Sequence, residues 1–140
     1  MKRWQLSLLI LIVVVLSAAG LRYLWGKRAS QKRELAYQSA LLQYQQSFRP
    51  GMTRKDVEDH LRSENVEFRQ MCCVEGNLPK GVYDDLAKIG QEDAPWYCSE
   101  ENVYVAFQFT GPRRNAIGWT ADASDKLSAV TIFRWLEGCL

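Results

Sequence analysis

Four cysteines, Cys72, Cys73, Cys98 and Cys139, are the side chains with reactive potential in this sequence. Four thiols allow three pairings. Cys72 to Cys73 would be a vicinal bridge that strains the peptide between them. The other two schemes tie this adjacent pair to Cys98 and to Cys139. A bridge closing a loop of about 25 residues would add roughly 3–4 kcal/mol on the chain-entropy account. Structural disulfides are therefore the first expectation, and a small exported domain benefits from them. Free buried thiols come next, and would come first in a cytoplasmic domain. The C-x2–4-C spacing of ordinary zinc sites is missing, and so is a Cys-x-x-Cys redox motif.

Other groups carry less. His60 is the single histidine and has no partner motif, so it reads as a surface or boundary residue. Asp84-Asp85 and Glu92-Asp93 are carboxylate pairs, but neighbours in sequence do not make an acid–base pair. Phosphate loops, His-Glu-x-x-His, EF-hand and Gly-x-Ser-x-Gly patterns are all absent. No catalytic, cofactor-binding or metal-ligating residue is assigned, and the chain is expected not to be an enzyme. Neither a small-molecule substrate nor nucleic acid is expected to bind. Trp96 and Tyr97, aromatics flanked by charge, suit contact with a protein partner, as does Arg113-Arg114 at an expected hairpin tip.

The elements that would position these residues begin with an apolar run. Trp4 to Leu21 is uncharged over 18 residues. As a helix it rises about 27 Å, close to the thickness of a bilayer's hydrocarbon core. Trp4, Tyr23 and Trp25 fall where interfacial aromatics belong, and Arg22 can snorkel. Residues 1–26 are expected to be a membrane anchor contacting lipid through residues 4–25. A signal peptide cleaved after Ser17-Ala18-Ala19 is the alternative. Basic residues crowd the far side of the run, which by charge counting would keep the domain inside. The Met-Lys-Arg start and the cysteines point instead to an extracytoplasmic, periplasmic domain on a single-pass anchor.

Charge is uneven along the 140 residues. Residues 1–74 carry 12 basic and 6 acidic side chains, whereas residues 75–102 carry 2 and 7. The basic excess suits anionic headgroups, and the acidic stretch reads as a solvated loop.

Residues 27–49 read as an amphipathic helix or linker. Tyr37, Leu41, Tyr44 and Phe48 share one helical face. Residues 50–140 read as a small α+β domain. Pro50-Gly51 makes a turn, and Thr53 to Asp56 has capping-box spacing with Asp for Glu. Val57 and Leu61 give that helix its inner face, and it ends near Glu64-Asn65. Strands are expected at Val66–Val74, Asn102–Thr110 and Leu127–Trp135. Between the first two lies a long connection, Glu75–Asn102, with a short helix at Tyr83–Ile89. Long connections are often functional. The expected fold is α+β: a transmembrane helix, then two helices packed on a three-stranded antiparallel sheet.

Gly51-Met52-Thr53-Arg54-Lys55-Asp56-Val57-Glu58-Asp59-His60-Leu61, with Trp96-Tyr97 before a Val-x-Val-x-Phe strand, resembles the SmpA/OmlA (BamE-like) family over about residues 35–135. β-Lactamase-inhibitor proteins share this helix–sheet unit. The segments Met71–Gly76 and Gly90–Glu100 resemble a group of small acidobacterial membrane proteins. The BamE-like resemblance implies a cell-envelope module that binds a protein partner. The chain departs from that family where an apolar helix replaces a lipid-bearing cysteine, and in the cysteine-containing 75–102 stretch. A secreted enzyme inhibitor, or a thiol or metal protein, is the alternative function.

Overall fold

The computed structural model describes residues 3–72, 81–111 and 118–140. The elements run α1 (Arg3–Ser47), α2 (Arg54–Ser63), β1 (Phe68–Met71), β2 (Asp84–Glu92), β3 (Glu100–Thr110) and β4 (Lys126–Glu137). The chain divides at Ala36/Tyr37 into two compact units.

The first unit is helical. Its residues from Ile10 to Leu16 are all exposed, between 48 and 66%. This helix is long and apolar enough to cross a membrane. Ser17 Oγ donates to Val13 O at 2.7 Å, which satisfies the hydroxyl within its own helix. Gly26 introduces no break, since α1 runs on to Ser47.

The second unit is a four-stranded antiparallel sheet in the order β1-β2-β3-β4, with helices on one face. The Tyr37 stripe behaves as its spacing predicts. Tyr37 and Phe48 are buried, and Leu41 and Tyr44 pack on a core of Val57, Leu61, Ala87, Val105, Phe107, Phe109, Leu127 and Val130. Edge-to-face contacts knit this layer, with Tyr44 at 5.5 Å and Phe48 at 5.1 Å from Phe107.

Both ends of α2 are set by local chemistry. Thr53 is the N-cap and accepts from Asp56 N at 3.1 Å, while its hydroxyl donates to Asp56 Oδ2 at 2.6 Å. Asp thus serves where Glu is usual in a capping box. At the far end Val66 N donates to Leu61 O and Asn65 N to Arg62 O, with Asn65 at φ 55°. That is a Schellman stop using Asn in place of Gly.

The sheet corrects the expected strand count from three to four. Residues read as a short helix at Tyr83–Ile89 form most of β2, an interior strand. Asp84 to Ala87 are buried without alternation because both faces of the strand are covered. Such a strand lacks the two-residue period that marks a half-exposed one. The long connection between strands is correspondingly shorter. β1 is also shorter than Val66–Val74: Val66 belongs to the helix stop, and Val74 lies outside the described residues.

A bulge between Lys88 and Gly90 brings Gly90 beneath Tyr37. A Cβ there would overlap the ring, 2.8 Å from Cζ, so only glycine permits this approach. The outer edge of β4 is partly occupied. Leu127 exchanges backbone hydrogen bonds with Gly51 and Met52, and Gln45 Nε2 donates to Val130 O at 2.9 Å.

Candidate functional site

The face of the sheet away from the helices carries a different set of side chains. Alternation along β3 places Glu100, Asn102 and Tyr104 on it. Register then adds Glu137 opposite Glu100, Phe133 opposite Tyr104, and Lys88 opposite Tyr104 on the other side. Arg69 joins from β1, opposite Leu86. Leu86, Tyr104 and Ala106 are buried, with Met71 and Phe133 packed against them. Glu67, Phe68, Arg69, Leu86, Lys88, Glu100, Asn102, Tyr104 and Glu137 surround a cup of about 320 Å³. That is the lower end of the range for small-ligand sites.

One network fixes one wall of the cup. Arg69 Nη2 donates to Tyr104 Oη at 2.5 Å and to Glu137 Oε1 at 2.8 Å. Its guanidinium lies 4.8 Å from the Tyr104 ring centroid. Tyr104 Oη donates to Glu137 Oε1 at 3.4 Å. The hydrogen bond from Arg69 holds the Glu137 carboxyl below its ordinary value, and burial raises the Tyr104 phenol. Asn102 lies beside Glu137 and helps to hold its carboxyl down. Asn102 is 2% exposed, and Oδ1 has no hydrogen-bond partner. An orphaned acceptor costs about 1–3 kcal/mol.

Glu100 and Glu137 face each other directly across the β3–β4 ladder. Like charges in that position oppose folding. Arg69 compensates Glu137, whereas Glu67, Lys88 and Glu100 have no ion pair within the described residues. The cup therefore holds polar groups that the protein itself does not satisfy.

The end of the sheet beside the cup is stapled. Cys98 and Cys139 are bonded, spanning 41 residues. The two schemes linking the first strand to the later cysteines are thereby overturned. The reason is positional: Met71 pairs with Asp84 at one end of the sheet, whereas Glu92, Glu101 and Glu137 lie at the other, where Cys98 and Cys139 sit. Cys72 lies just past β1, at the first of these ends, and Cys73 falls outside the described residues. Around the staple Ser99 N and Oγ both donate to Glu137 O, at 3.0 and 2.9 Å, and Leu140 N donates to Tyr97 O at 2.9 Å. Trp96 is held there 90% exposed, edge-on to Tyr97 at 5.8 Å. Trp135 and Leu136, near the end of β4, are exposed as well. Trp96 and Tyr97, chosen from sequence, thus come together with Cys98 and Cys139. Arg113 and Arg114 lie outside the described residues.

Sequence reasoning missed a buried knot on the helix side. Arg54 is 2% exposed and meets Asp85 Oδ1 at 2.6 Å and Asp125 Oδ2 at 3.4 Å. It also donates to Tyr83 O and stacks 4.0 Å from the Phe109 centroid. Asp84 Oδ1 accepts from Phe109 N at 3.0 Å. Burial pushes the Asp85 carboxyl up to about 7, against the opposing pull of Arg54. The knot is closed to solvent and ties α2 and the loop before β4 to β2; it is structural. His60 is half-buried, 4.9 Å from the Phe48 ring and 3.3 Å from Glu64 Oε1, a boundary residue as expected.

No known protein family, curated protein or solved structure matches the chain.

Proposed function

We propose that the chain is a single-pass membrane-anchored module whose sheet domain binds a protein partner in the cell envelope. The observation that carries this reading is the stapled end. A tryptophan is held 90% exposed beside a disulfide and next to a cup with unsatisfied polar groups. Exposed aromatics on a rigid support lose little entropy on binding and anchor interfaces. The apolar first unit supplies the membrane segment, retained rather than cleaved. A disulfide persists in an oxidising compartment, which supports an extracytoplasmic domain. The likeness of residues 51–61 to BamE-like modules agrees with an assembly or scaffolding role in the envelope.

The test is site-directed photo-crosslinking in intact cells. A benzophenone amino acid at position 96 is expected to capture one discrete partner band, and the same probe at Ser63, on the exposed end of α2, none. Trp96→Ala is expected to abolish co-purification of that partner from detergent extract. Equal, diffuse labelling from both positions would end the proposal. An impermeant thiol reagent applied to reduced, intact cells gives the topology independently; labelling of Cys98 and Cys139 only after lysis would place the domain inside.

A further inference from the structure

We propose that the stretch of α1 from Arg22 to Lys32 is a collar for anionic phospholipid headgroups, so that the anchor selects negatively charged lipid from the bilayer around it. This rests on the membrane reading above and names the lipid class it takes.

Charge on this part of the chain has one sign. Residues 1–33 hold seven basic side chains and no acidic one; the first carboxylate is Glu34. Arg22, Lys27, Arg28 and Lys32 are all exposed on α1, and none of them forms an ion pair among the described residues. At 3.6 residues per turn they fall at about 0°, 140°, 240° and 280° around the helix axis, so no arc wider than about 140° lacks a cation. A protein partner covers one stripe of a helix, whereas lipids surround it. A ring of charge fits the second kind of neighbour.

Depth agrees. Arg22 follows directly on the uncharged run that ends at Leu21. At 1.5 Å per residue Lys27 and Arg28 lie about 7–9 Å beyond Arg22, against roughly 5–7 Å for the headgroup layer on one side of a bilayer. Lys32 lies about 15 Å along, roughly one Debye length past that layer, where an anionic surface is still felt. Tyr23 and Trp25, each 70% exposed, carry rings that prefer this level. Arg22 and Lys27 also border one shallow groove with Tyr23, Gly26, Ser30 and Gln31. Nothing stands within 4 Å of a Cβ built at Gly26, so the groove is open there. A guanidinium, an ammonium, two hydroxyls and an amide all donate to phosphate oxygens. A zwitterionic headgroup brings its own cation with its phosphate and gains less from such a collar.

The test uses the full chain reconstituted in phosphatidylcholine vesicles that carry trace spin-labelled lipid. Flotation after an alkaline carbonate wash shows whether the chain is integral; a chain stripped from the vesicles overturns the membrane reading and this proposal together. Electron spin resonance then gives the fraction of each labelled lipid held at the protein. Labelled phosphatidylglycerol is expected to associate at least about threefold more strongly than labelled phosphatidylcholine, and the preference to shrink as salt is raised. Arg22→Gln, Lys27→Gln, Arg28→Gln and Lys32→Gln together preserve helix propensity and are expected to abolish the preference. Lys2→Gln with Arg3→Gln, at the other end of the apolar run, is expected to keep most of it. Equal association of the two lipids with the parent chain, a preference that salt leaves unchanged, or one that survives the fourfold substitution overturns the proposal. If the chain floats while the preference is missing, the collar falls and the membrane reading stands.

Discussion

Arg54 shows how much one side chain can decide. It is buried among Asp85, Asp125, a carbonyl and the Phe109 ring. Arg54→Met would leave these carboxylates without a cation, and a loss of about 3–5 kcal/mol of stability is expected in denaturant melts. Asp85 makes the knot sensitive to pH. Its folded value of about 7 lies above the ordinary aspartate value of 3.8, so the folded state holds its proton more tightly than the unfolded chain does. The resulting stability is complete below the ordinary value and is lost as pH rises through about 7. The melting temperature is therefore expected to fall between pH 5 and pH 8, and Asp85→Asn to flatten that slope. Gly90→Ala would drive a methyl into Tyr37; about 1–3 kcal/mol of destabilisation is expected, and Tyr37→Ala in the same chain should relieve part of it. None of this was legible beforehand. Arg54 sits in a capping motif whose other positions are solvent-facing, and no local pattern distinguishes a buried arginine from an exposed one.

At the scale of elements, legibility followed periodicity. The Tyr37–Phe48 stripe, the Thr53 cap and the Val103–Phe109 strand have clear periods, and each forms as read. β2 does not, because Asp84, Asp85, Leu86 and Ala87 are all buried on a strand covered on both sides. The cup was hidden for a related reason: its residues are spread over all four strands, and only register assembles them. Trp96 and Tyr97, expected as partner contacts, are exposed. The staple is an element-scale device. Closing 41 residues, it is expected to contribute about 4 kcal/mol, and Cys98→Ser with Cys139→Ser to lower the denaturation midpoint correspondingly. Thr53→Ala should cost about 1 kcal/mol through loss of the α2 cap.

For the whole molecule, the chain divides at Ala36/Tyr37 into two compact units. The sheet unit has its own core and both its helical covers within Tyr37–Leu140. A fragment beginning at Tyr37 is expected to fold without detergent and to melt cooperatively, with its disulfide intact. The complete chain, by contrast, is expected to require detergent, since its exposed Ile10–Leu16 face exceeds what water tolerates as a contiguous apolar surface.

The partly occupied edge of β4 has a consequence for how such a domain stays apart from its own copies. Exposed ladders recruit strands from neighbouring chains and seed polymers. Here the turn at Gly51–Met52 and the amide of Gln45 take up Leu127 and Val130, so over that stretch an incoming strand meets a rim already hydrogen-bonded. Copies that meet edge to edge are thereby kept from zipping together along it.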